Sequence, residues 1–194
     1  MIGNLECWLS VYNKASFCQL PLFTMSLLLN YLPLCWFRNH PTELMPSKSF
    51  MLNTIAFYLV SGIVVEGLIA DFADGTLEVL LRTFMAFTSI SVFLLAIKRW
   101  QLFFQLFTAI FVCENFIMTW AIFAEVLDEV MVAKHYEYRE AISISLATVL
   151  VTWYLSIIAY ILRQVFAFKI NVSLLLAFCY FVLTYGLPMA FMDL

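Results

Sequence analysis

Residues 102–124 read LFFQLFTAIFVCENFIMTWAIFA, a run in which Glu114 is the one charged residue. As a helix rising about 1.5 Å per residue it would be roughly 35 Å long, enough to cross a ~30 Å hydrocarbon core. A buried helix of a large soluble protein could look the same, so the rest of the chain has to decide. The 194 residues are 64% hydrophobic, 18% aromatic and 12% charged, with a mean hydropathy of +0.96. Soluble domains are about half apolar and a quarter charged. Too little polar surface remains here to cover a water-soluble globule, so most of the chain must face lipid. The net charge of −3 matters less than where the charges fall.

Four further segments match the first in length and character, at 51–70, 77–97, 142–163 and 171–191, with the quoted helix taken as 102–125. A sixth, 17–37, carries Pro21, Asn30 and Pro33 along with Gln19 and Ser26. Proline inside a helix removes a backbone hydrogen bond and kinks it, so this segment reads as an interfacial or re-entrant helix rather than a span. The expected fold is all-α: a polytopic membrane helix bundle with five transmembrane helices plus an N-terminal interfacial helix. Residues 1–50 form an N-terminal amphipathic region and 51–194 the transmembrane domain. No cleavable signal peptide is evident at the start, and Met25 would itself serve as an initiation point.

Short connections make neighbouring spans antiparallel. DFADGT (Asp71–Thr76) joins the first two, with Gly75 as turn residue, and Lys98–Gln101 joins the next pair. Roughly Val126–Ala141 forms the longest loop. With the N-terminus cytoplasmic, the inner side receives Lys14, Arg38, Lys48, Lys98, Arg99, Arg163 and Lys169, leaving Arg82, Lys134 and Arg139 outside. The positive-inside rule then favours a C-terminus outside, and Trp36 and Trp100 beside basic residues suit interface anchors.

Two carboxylates fall inside spans, where a charge costs several kcal/mol on translocon scales. Glu66 lies five residues before Asp71, and Arg82 six residues after Thr76 on the returning helix, so both sit at similar depth. An ion pair across the hairpin would neutralise them, with Gly62 and Gly67 giving small surfaces for close approach. Glu114 lies near the midplane with no Lys or Arg at its depth. Its cheapest state is a protonated carboxyl facing protein and donating a hydrogen bond, with Thr152, Tyr180 and Thr184 as candidate acceptors. On the fourth span Trp153, Tyr160 and Gln164 share a stripe, which suits packing more readily than a pocket. Arg163 is a snorkelling helix-end residue.

Catalytic signatures are missing: no HExxH, no G-x-S-x-G and no glycine-rich phosphate loop among five glycines. The scattered cysteines (Cys7, Cys18, Cys35, Cys113, Cys179) suggest neither a disulfide framework nor a metal site. HYEYRE around His135 has the alternation of a solvated loop. No basic run suggests nucleic acid, and no cofactor is implied.

The lead-in PTELMPS (Pro41–Ser47), the turn Lys98-Arg99 followed by QLFTAIFVCENF, and WYLSIIAYILR (Trp153–Arg163) together resemble bacterial inner-membrane proteins of the Yip1-like kind, over about residues 38–191. The long acidic loop departs from the tight connections of that pattern. The resemblance implies a non-catalytic membrane protein engaged with other membrane proteins or lipids, and carries over no functional residues. The expected role is a small subunit or organiser of a membrane assembly. The alternative is a small transporter or channel component that uses Glu114.

Overall fold

A computed structural model of the chain describes residues 28–41, 44–69 and 71–192. Expectations that fall on residues 1–27, including the first half of the sixth segment and the Met25 start, lie outside these. The described residues are helical, with no strand among them.

Five helices are long and apolar enough to cross a membrane. They are α1 (Lys48–Ile69), α2 (Phe72–Ala96), α3 (Phe103–Ala133), α4 (Arg139–Phe166) and α5 (Ile170–Met192). A short 3₁₀ helix, Leu32–Trp36, precedes them. The bundle is built around α3, whose membrane-length stretch is 56% buried against 39% or less for every other span. Helices α1 and α4 pack on its two sides, α2 pairs with α1, and α5 returns from α4 to close against α2. Outward positions are apolar, among them Phe57, Phe84, Phe87, Ile144, Val149, Leu175 and Phe178. Such a surface suits acyl chains, which is the arrangement that the composition demanded.

Two boundaries differ from the sequence expectation. The α1–α2 connection is shorter than DFADGT. Helix α2 starts at Phe72, with Asp71 as its cap and Gly75 N–H donating to Asp71 O at 2.9 Å. Gly75 is therefore a helical residue rather than a turn residue. A Cβ there would lie 2.8 Å from Glu66 Cβ, so its value lies in letting two helices meet. Helix α3 also runs on to Ala133, about two turns past the expected end, because Leu127, Val130 and Met131 continue its apolar spacing between the acids. Arg139 and Ser143 of α4 then reach back to Asp128, with Arg139 Nη2 at 2.6 Å and Ser143 Oγ at 2.5 Å. The loop shrinks to a turn around His135, whose left-handed φ of 52° ends the helix in place of glycine.

The short N-terminal helix enters the bundle. Tyr31, Leu34 and Cys35 are fully buried, and Cys35 Sγ lies 3.5 Å from Cys113 Sγ on α3. Pro33 sits at its start, where a missing N–H costs nothing.

Candidate functional site

The α1–α2 hairpin brings the first pair of expected residues together. Arg82 Nη1 donates to Glu66 Oε1 at 2.5 Å, and Nη2 donates to Glu78 Oε1, also at 2.5 Å. The Cα of Arg82 is ten residues into α2, about 15 Å from its start. Its side chain leans toward the helix N-terminus, as helical side chains do, and so reaches Glu78 one turn earlier and Glu66 across the hairpin. One guanidinium thus serves two carboxylates. Its Nε is buried without a hydrogen bond among the described residues, and its face lies 4.8 Å from the centroid of the Tyr185 ring.

Glu114 is 3% exposed and faces protein. Tyr154 and Tyr180 hydroxyls both donate to its Oε1, at 2.5 and 3.2 Å. Of the candidate partners named from sequence, Tyr180 is in place. Thr184 instead bonds its own helix at Tyr180 O, and Thr152 bonds Thr148 O on the exposed side of α4. Oε2 takes no hydrogen bond among the described residues.

These two centres open onto one cavity of about 260 Å³ to which all five spanning helices contribute. Its walls include Glu66, Arg82, Glu114, Glu125, Tyr154 and Tyr185. Glu125 is eleven residues after Glu114, three turns on, so both lie on the same face of α3 about 16 Å apart. Ile117, Met118 and Ala121 line the wall between them. On α4 the lining includes Ala147 and Val151, both exposed on the bundle surface. No ion pair of Glu125 occurs among the described residues.

Tyr185 has an unusual seat. Residues Val182–Gly186 form a π-helical turn inside α5. Pro188 follows; it has no N–H for the carbonyl four residues earlier, and its ring crowds that carbonyl, which favours a local bulge. The wider turn sets Tyr185 beside Tyr154 (5.8 Å between centroids) and beneath Arg82. Sequence reading missed Glu78, Glu125, Tyr154 and Tyr185. The signal that could have found Tyr185 is Gly186 and Pro188 inside an otherwise regular span.

Comparisons with protein-family models, curated proteins and solved structures find no match for this chain.

The α4 stripe lies elsewhere. Trp153 Nε1 donates to Cys35 O at 3.1 Å and Tyr160 OH to Asn39 O at 3.2 Å, so both fasten the N-terminal segment to α4. Trp153 lines a shallow surface depression, while Tyr160 and half-buried Gln164 do not. A cavity of about 390 Å³ between the short helix, α1 and α3 has no charged residue in its lining. Asn115 Nδ2 donates to Thr54 O there at 2.9 Å. No cluster of three or more His, Cys, Asp or Glu side chains able to hold a metal ion occurs among the described residues.

Proposed function

We propose that the chain is a membrane protein without catalytic activity that acts through lateral contacts in the bilayer, as a small subunit or organiser of a larger assembly. The observation that carries the reading is the outward surface of α2 and α4. Only 22% and 17% of their membrane-length stretches are buried, and Phe84, Ile144 and Val149 point away from the bundle. Among the described residues the turns between spans are a few residues long, so helix faces make up most of the surface available for binding. The Yip1-like resemblance suggests a bacterial inner membrane, and the basic turns support an N-terminus in the cytoplasm and a C-terminus outside.

The test is a photo-crosslinking residue placed at Phe84, Ile144 or Val149 in turn, irradiated in native membranes. Adducts to one protein from one face, with lipid adducts from the other, are the expected result. Lipid adducts alone from every position would remove the subunit role. An alkaline phosphatase fusion at the C-terminus reads the orientation, and an inactive fusion counts against it.

A second reading is favoured by one specific observation: the cavity reaches Glu114. In that reading the chain moves a small solute or proton, using Glu114 as the relay. Glu114→Gln keeps a hydrogen-bonding group but cannot release a proton. Unchanged flux of the variant in reconstituted vesicles would exclude proton handling.

A further inference from the structure

We infer that the cavity between Glu114 and Glu125 is a binding site for an organic ammonium group carried on a short apolar body. This goes beyond both readings above, since it requires neither a protein partner nor transport.

Charge selects the ligand's sign. Arg82 is the one basic residue in the lining, and its two terminal nitrogens are occupied by Glu66 and Glu78. Those three side chains together carry one net negative charge. Glu125 adds another at the mouth, and this total stands whatever the state of Glu114. An anion would meet like charge in a low-dielectric site, and a neutral ligand would leave the excess uncompensated. A cation corrects it.

Geometry selects the kind of cation. A bare metal ion needs several oxygens converging within about 2–2.6 Å. The acidic groups along α3 are instead spread over three turns, with Ile117, Met118 and Ala121 between them. An ammonium carries its own N–H donors and can settle on a single acceptor. The acceptor in place is Oε2 of Glu114, on a side chain 3% exposed whose other oxygen is held by two tyrosines. The rings of Phe181 and Tyr154 offer an apolar wall for methylene groups. A volume of about 260 Å³ corresponds to roughly nine waters at ~30 Å³ each, room for a small amine or a head group. Either a free amine or an aminophospholipid presents this chemistry.

The experiment uses the full chain in detergent and follows thermal unfolding with n-butylammonium chloride. Controls are n-butanol, which has the same body without charge, and sodium chloride at equal ionic strength. Butylammonium alone is expected to raise the melting temperature, as a ligand that binds only the folded state must. Glu114→Gln should weaken its binding tenfold or more, and Glu125→Gln, about 16 Å away, by a few-fold. Glu125 is only partly buried, so its variant keeps the test informative if the Glu114 variant folds poorly. Equal shifts with butylammonium and butanol, or undiminished binding by Glu125→Gln, would overturn the proposal. Nanodiscs separate the sources. A weaker butylammonium affinity in phosphatidylethanolamine than in phosphatidylcholine assigns the site to an aminolipid head group. Equal affinity in both assigns it to a free amine.

Discussion

The bare Cα of Gly75 lies against the backbone of Glu66, so close that an added Cβ would come within 2.8 Å of Glu66 Cβ and 3.0 Å of its carbonyl carbon. This approach brings Glu66 within reach of Arg82. Backbone atoms on one side of the contact leave little freedom to yield, and overpacking of this kind costs about 1–3 kcal/mol. Gly75→Ala is therefore expected to lower the unfolding midpoint in detergent, and Gly75→Leu to lower it further. Gly186 is the control, because a Cβ there meets only Val182 Cγ1 at 3.6 Å, an ordinary contact. Wild-type melting of Gly75→Leu would mean that the hairpin is looser than described.

Arg82 stands between two carboxylates, with side chains 11–14% exposed on all three residues. Removing one partner of a buried ion pair strands the other charge, at a cost of about 3–5 kcal/mol. Arg82→Met strands two and should destabilise strongly. Adding Glu66→Gln and Glu78→Gln to it should recover most of the loss, since three neutral side chains replace an ionic group. The readout is a cycle of unfolding free energies. Simple additivity across the three sites would argue that the charges do not meet.

Glu114 and Tyr154 form a shorter circuit on α3 and α4. Losing a buried hydrogen bond costs about 1–3 kcal/mol, so Tyr154→Phe is expected to cost that much in wild type and less in a Glu114→Gln background. Tyr180→Phe, whose bond is longer at 3.2 Å, should cost less than Tyr154→Phe. Reversal of that order would place Glu114 closer to α5 than to α4.

These contacts were unequally legible in the sequence. Glu66 and Arg82 could be matched by counting residues back from the hairpin tip, because depth along a helix follows directly from residue number. The partners of Glu114 depend on how α4 is rotated about its axis. Thr152 and Tyr154 are two residues apart, some 200° around a helix, so choosing one excludes the other. A weakly amphipathic span in lipid gives no signal for that choice. The end of α3 was misplaced for a different reason. Asp128 and Glu129 suggested a loop, whereas together with Leu127, Val130 and Met131 they form an amphipathic extension. The π turn at Val182–Gly186 needed Pro188 to be read as a cause of irregularity rather than as a helix end.

The position of the N-terminal helix can be tested through Cys35 and Cys113, both fully buried with sulfurs 3.5 Å apart. A disulfide needs about 2 Å between sulfurs and a Cβ separation near 3.8 Å, so a small side-chain adjustment suffices if the short helix enters the bundle as described. With Cys7, Cys18 and Cys179 replaced by serine, copper phenanthroline is expected to remove both remaining thiols and form an intramolecular crosslink. The reaction should be slow, because neither sulfur reaches the surface. Trp153→Phe removes the indole donor to Cys35 O and should accelerate it by loosening the segment. If instead the short helix lay flat at the membrane surface, Cys35 would react quickly with a water-soluble maleimide and no intramolecular crosslink would form.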